Sequence, residues 1–257
     1  MAHGNNIVAN RKHYVVKAND LIRDTRYSLT TQQQKIVLFC ISKIRKNDNP
    51  DKEYEISIDE LCGACGLELD AGGFYYRTIK QDLVKLTSRL WVQMPDKTET
   101  TVSWISDATI IPLSGTVYVK FHPKMIPYLF DLNERYTQYR LEEVLVFHNK
   151  YAIRIYELLR SYITQKELDA GIEKEVMFTV DELREKLAID AYKQWREFDR
   201  NVVKKAVDEI NKYSDQMRVS YDTYKTGKKI TKINFIIGFP SAVEKYVSRQ
   251  ESKKRLR

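Results

Sequence analysis

The chain has 257 residues, of which 43% are hydrophobic and 30% charged; its net charge is +8 and its isoelectric point about 9.1. That length suits one large domain or two of about half the size, either able to bury a sizeable core. The basic balance tilts toward a polyanionic partner, and the lack of any apolar run near the roughly 18 residues of a membrane span argues against a membrane protein.

Three cysteines without framework spacing point to a reducing compartment. The N-terminal stretch MAHGNNIVANRKHYVVKAN has no apolar h-region, so a cytoplasmic protein without a secretory signal is expected. Residues 1–13 are polar and are expected to be loose at the end.

From residue 14 the pattern is regular. Tyr14 to Lys17 reads as a strand and Asn19 to Ile22 as a turn of helix. Val37, Cys40, Ile41 and Ile44 repeat at helical spacing and predict a helix from Thr31 to Arg45. A polar loop leads to YEISIDELCGACGL, a strand running into a short helix. Gly72-Gly73 breaks the chain. Tyr76, Ile79, Leu83, Leu86 and Leu90 then mark a longer helix from about Phe74 to Leu90. Strands are expected at Trp91 to Met94, Thr101 to Ile105 and Thr116 to Phe121, the first two joined by the polar turn Pro95 to Thr100.

The order then begins again. Asn149 to Thr164 is a helix with Tyr151, Ile155, Leu158, Leu159 and Tyr162 on one stripe. VMFTVDELREKLAI repeats the strand and short helix. Tyr192 to Lys212 (YKQWREFDRNVVKKAVDEINK) is the longer helix, with Asp190 as its expected N-cap. A hairpin follows: Met217 to Tyr224, a turn at Thr226 to Lys229, and Ile230 to Ile237. IDELCGACGL aligns with VDELREKLAI. Phe74, Ile79, Leu83 and Leu86 align with Phe198, Val203, Val207 and Ile210, after a shift small enough to be a loop-length difference.

The chain therefore reads as an α+β protein built from two copies of one module. Each has the order of a winged helix: helix, strand, short helix, longer helix, ribbon. In the second copy, Trp195, Phe198, Val202, Val203, Ala206 and Ile210 form the apolar face of the long helix. Lys193, Arg196, Arg200, Asn201 and Lys204 form the polar one. A solvated amphipathic helix has the same pattern, and the wing-like position of Lys225, Lys228, Lys229 and Lys232 is what favours DNA.

The block TQYRLEEVLVFHNKYAIRIYELLRSY (137–162), FDRNVVKKAVDEIN (198–211), LTTQQQKIVLFCISKI and YEISIDEL together resemble the iteron-binding plasmid replication initiators, over roughly residues 14–240. The resemblance implies two tandem winged-helix domains, at 14–130 and 131–240; the tail that follows, 241–257, is basic and is expected to be mobile. The resemblance also implies a sequence-specific binder of double-stranded DNA that recognises origin repeats and an operator. Such initiators assist origin opening, load a host replicative helicase alongside host initiator proteins, and exchange between monomer and homodimer. Carried onto this sequence, Arg196, Arg200, Asn201 and Lys204 fall on the second recognition helix. Arg77, Lys80 and Gln81 fall on the first, with Arg77 aligned to Asn201 and Lys80 to Lys204.

Other chemistries find less support. Cys62-Gly-Ala-Cys65 lacks the second pair a zinc site needs. The repeat aligns Cys65 with Leu187 and Cys62 with Arg184, which makes Cys65 a small core residue and Cys62 half-exposed. His3, His13, His122 and His148 are isolated, so no local metal pair could support a DNA-nicking tyrosine. The stretch ending at Gly227-Lys228 has Asp222 where a P-loop needs glycine. No catalytic residue, cofactor or metal is expected. A transcriptional repressor with the same fold remains the alternative, and a nicking enzyme the less favoured one.

Overall fold

The computed structural model describes residues 14–67, 74–88, 90–93, 98–111 and 114–255. The expectations for residues 1–13, for the break at Gly72-Gly73 and for the tip of the 95–100 turn lie outside these. The described chain forms two compact units. The first runs to Leu21 and resumes over Leu29–Leu145; the second takes Ile22–Ser28 and everything from Val146 onward.

In the first unit, β1 (Tyr14–Ala18) leads into α1 (Asn19–Arg23), whose last two residues fall in the second unit, and the first unit resumes with α2 (Thr31–Ser42). Thr30 starts α2 with a capping box: its hydroxyl accepts the Gln33 N–H at 3.2 Å, and Gln33 Oε1 accepts the Thr30 N–H at 3.1 Å. Every α2 residue from Gln33 to Ser42 is buried, so this helix is central rather than amphipathic. Around it lie β2 (Tyr54–Ser57), α3 (Ile58–Cys65) and α4 (Phe74–Thr87). A hairpin, β3 (Leu90–Gln93) and β4 (Glu99–Val102), comes next, then β5 (Ile105–Ile111) and β6 (Thr116–Phe121).

The single strand expected at Thr101 to Ile105 is thus two. Ser103 and Trp104 are buried at the bend between them, and only β5 joins the main sheet, in the antiparallel order β2-β6-β5. Helix α3 stops at Gly66, which adopts φ 69° and lets Leu67 N–H reach the Cys62 carbonyl at 3.0 Å.

The second unit repeats this plan. α5 (Lys150–Ser161) is buried from Ala152 to Ser161 and takes the place of α2. After α6 (Gln165–Ala170) come β8 (Lys174–Thr179) and α7 (Val180–Lys186). The long helix is α8 (Trp195–Phe198), a π-turn (Asp199–Val203) and α9 (Lys204–Tyr213). The ribbon is β9 (Arg218–Thr226) and β10 (Lys229–Gly238), and the sheet order β8-β10-β9 is that of the first unit. Fully buried Leu61 and Leu183 occupy equivalent places, as do Ile79 and Val203. The duplication read from the sequence is therefore a duplication of fold.

Three expectations change. The division at 130/131 moves to 145/146, because β7 (Tyr136–Arg140) pairs with β1 along its whole length. Residues Ile22–Ser28 belong to the second unit, where the Arg154 guanidinium donates to the Tyr27 hydroxyl at 2.5 Å and lies 4.2 Å from its ring centre. The tail is a helix, α10 (Ala242–Arg255), and not a mobile appendage: Arg249 pairs with Asp215, and Arg255 with Glu209 at 3.0 Å.

The cysteines exchange roles. Cys62 is fully buried and Cys65 half-buried. A thiol fits against the core where the long Arg184 side chain must run along the surface. Among the described residues no group of three or more His, Cys, Asp or Glu side chains could hold a metal, and no helix is long and apolar enough to cross a membrane.

Candidate nucleic-acid interface

The second unit builds its candidate surface from the turn that precedes the long helix. Thr179 caps α7 by accepting the Glu182 N–H at 3.0 Å. Between α7 and α8 the chain turns sharply, with Ala188 at φ 51° and Tyr192 at φ 57°. Arg184 fixes that turn. Its guanidinium donates to the carbonyls of Ala191 (2.9 Å), Tyr192 and Lys193 (3.4 Å), and it lies 4.3 Å from the centre of the Phe198 ring.

Asp190 is not the N-cap. It pairs with Arg26 at 2.7 Å, and the helix starts later, after Gln194, with no side-chain cap.

Phe198, Val202, Val203, Ala206, Val207 and Ile210 are buried and anchor the helix to the sheet. Burying one such side chain contributes roughly 1.5–3 kcal/mol, so the orientation of this helix is firmly set. The opposite side is exposed at Lys193, Arg196, Arg200, Lys204 and Lys205. Arg196 and Arg200 have no hydrogen-bond or ion-pair partner among the described residues, so both are available to a ligand.

Asn201 and Lys204 are committed within the fold. The Asn201 side-chain amide donates to the Glu197 carbonyl at 2.9 Å. The Lys204 ammonium holds both oxygens of Asp208 at 2.8 and 3.1 Å, which raises its pKa, with a smaller contribution from Asp199. The π-turn has a part in this, since the Lys204 N–H bonds to the Asp199 carbonyl five residues back and so brings Lys204 over Asp199.

The wing closes on a two-residue turn, Gly227-Lys228. Gly227 has φ 61° at the first central position, which glycine adopts without a Cβ clash. Lys225, Lys228, Lys229 and Lys232 are all exposed. They do not form one patch. Lys225 pairs across the ribbon with Ile230 and Lys232 with Tyr224, which places these two lysines on opposite faces. Lys225 shares its face with Tyr221, whose hydroxyl donates to Asp199 Oδ1 at 2.5 Å; this is the face turned to the long helix. Asn211 makes a second tie, donating to the Val219 carbonyl and accepting the Val219 N–H, both at 2.7 Å.

In the first unit, Arg77, Lys80 and Gln81 are exposed on α4 above buried Ile79, Leu83 and Leu86. Val84 is 59% exposed on the same side, an apolar group the sequence reading passed over. It also passed over Lys205 and the Arg184, Asp199 and Asn211 ties. Arg184 alone carried a signal, as a lone cation at a position where the repeat has a cysteine.

Two antiparallel three-stranded wings, each behind a short helix and a longer helix with an exposed polar face, define a tandem winged-helix protein. The family model described as "Initiator Replication protein, WH1" matches residues 14–160, and that described as "Initiator Rep protein, WH2" matches residues 179–237. The chain belongs to this initiator replication protein family. It is 29% identical over 210 residues to a replication initiation protein of Escherichia coli; the match covers 80% of this chain and spans 64% of the length of that relative. Its fold is similar to that of the Pi initiator protein, whose crystal structure is in complex with iteron DNA. The TM-score is 0.73 at 19% identity, covering 90% of this chain and 99% of the other.

Proposed function

We propose that this chain initiates plasmid replication by binding repeated sites in the origin, the iterons, as a sequence-specific double-stranded DNA-binding protein. One observation carries the reading: Arg196 and Arg200 stand exposed and unpartnered on a helix whose other side is locked into the fold. An arginine so placed can donate a bidentate pair to guanine O6 and N7 in the major groove. Lys225, on the ribbon face turned to the long helix, and Lys228 and Lys229 at the ribbon's end suit phosphates. Arg77, Lys80 and Gln81 give the first unit the means to read an adjacent groove, and joining two readers on one chain raises the effective concentration of the second once the first is bound. The name of the Escherichia coli relative and the iteron DNA bound by the Pi initiator support the same reading.

The reading extends to a cytoplasmic protein that helps open the origin and load a host helicase, and whose dimer represses its own gene. Footprinting of the purified chain on DNA flanking its gene tests it. Several directly repeated protected sites are expected. A single inverted repeat would replace initiation with repression, and cleavage of supercoiled origin DNA would overturn a role in binding alone.

A further inference from the structure

Besides the Asn211–Val219 tie, the long helix of the second unit meets its wing through a half-buried polar contact nearer the ribbon's turn. Tyr221 on β9 donates its hydroxyl to Asp199 Oδ1 at 2.5 Å, and its ring packs on Phe235 with centres 6.0 Å apart. Asp199 opens the π-turn, next to Arg200 and three residues after Arg196. On the strand, Tyr221 lies on the same face as Lys225, four residues before it, and the ribbon turns at Gly227-Lys228.

Asp199 itself is a poor candidate for reading bases. A carboxylate can accept from cytosine N4, but this one already accepts from Tyr221 and would repel phosphates. Its place amid the cations therefore calls for another purpose.

We propose that the Tyr221–Asp199 hydrogen bond is a positioning device for DNA recognition. It sets the tip of the wing against the π-turn so that Lys225, Lys228 and Lys229 meet the backbone in the same docking in which Arg196 and Arg200 reach base edges. Neither residue touches DNA. This rests on the DNA-binding reading above.

Three further observations fit. The Asn211–Val219 pair ties the start of β9 to the long helix, and the pairing of β10 with β8 from Lys232 to Ile237 holds the sheet as far as Tyr224, so Lys225–Thr231 project beyond the three-stranded part and Tyr221 is the tie to the long helix nearer that tip. The repeat register puts Tyr75 of the first unit where Asp199 stands in the second, so the tether belongs to one module only. Burial and the neighbouring carboxylate both push the Tyr221 phenol up, which keeps it a donor throughout the neutral range.

Tyr221→Phe keeps the ring on Phe235 and removes the donor. Asp199→Asn keeps an acceptor oxygen, and Asp199→Ala removes it. Each variant is titrated with a duplex carrying the footprinted repeat, and with single-base variants of it, over a range of salt. For the phenylalanine and alanine variants the slope of log affinity against log salt is expected to become shallower by about 0.9 for each lost phosphate contact, one to three contacts in all. Base preference at the arginine-read positions should persist, and Asp199→Asn should restore the parent slope. Amide hydrogen exchange over Lys225–Thr231 should quicken in the free phenylalanine variant while α5 keeps its protection.

An unchanged slope and unchanged wing exchange in Tyr221→Phe would overturn the inference and leave the binding reading intact. A parent chain that binds no duplex at all would overturn the binding reading itself. A urea melt of each variant separates either result from simple unfolding.

Discussion

Glu209 accepts the backbone N–H of Asn149 at 3.0 Å and that of His148 at 3.1 Å, so a side chain of the long helix satisfies donors at the start of α5. Arg255 pairs with the same carboxylate at 3.0 Å, which brings the last helix into the joint. Hydrogen bonds to a charged group contribute roughly 1.5–3 kcal/mol each. Glu209→Ala should therefore destabilise the second unit by about 2–3 kcal/mol, read as a lower urea midpoint. Glu209→Gln, whose amide oxygen still accepts, should recover part of the loss. Neither should change base preference in the protein that remains folded. A Glu209→Ala midpoint equal to that of the parent would show that water replaces the cap without cost.

Arg200→Ala tests the exposed side of the long helix. A bidentate guanine contact is worth about 1–3 kcal/mol of discrimination, or roughly 5- to 150-fold. The variant should lose affinity for its best site within that range and lose preference at one base position, as measured by anisotropy against single-base variants of the duplex. Lys204→Ala should do less, because Asp208 already holds that ammonium. Retained selectivity in Arg200→Ala would mean that this face is not the reader.

The repeated module was legible because burial imposes periodicity: Ile79, Leu83 and Leu86 recur as Val203, Val207 and Ile210, and all six are buried. Much of the motif that carried the family resemblance also turns out to serve the fold, with Glu209 capping α5 and Asn211 zipping to β9. What escaped was set by pairing at long sequence separation. Nothing near Asp190 announces Arg26 as its partner, and nothing local in residues 131–145 announces that β7 belongs with β1. The tail looked loose because it is charged, yet those charges are what pair it to Asp215 and Glu209. The same logic thinned the candidate site. A helical wheel groups Asn201 and Lys204 with Arg200, but it cannot see that a carbonyl and a carboxylate already occupy them.

The thiols offer a chemical test of the core. Burial pushes both Cys40 and Cys62 up to about 12, and raises Cys65 as well. Only the thiolate is alkylated at a useful rate, so at pH 8 the native chain should resist iodoacetamide at Cys40 and Cys62 and react at all three cysteines once unfolded in urea. Rapid native labelling of Cys62 would contradict its place in the core.

Glu167 supplies the pH dependence. Its Oε2 accepts the Thr164 N–H and hydroxyl, both at 2.8 Å, and its Oε1 lies 2.7 Å from the Lys174 ammonium. Lys174 first, then the Thr164 donors, hold its carboxyl down to about 2. The folded chain thus prefers the ionised form more than the unfolded chain does, where the group titrates near 4.3. The resulting stability is fully present above that unfolded value and is lost as the pH falls from there toward 2. Solvent reaches this pair, and screening keeps the effect small. Glu167→Gln retains an acceptor for Thr164 but does not titrate. Urea midpoints of parent and variant should differ by a constant amount from pH 7 to about pH 5, and the gap should close progressively as the pH drops toward 2, with the parent losing the ground. If the gap held constant over the whole range, the Lys174 pair and the cap would be adding nothing that depends on the charge of Glu167.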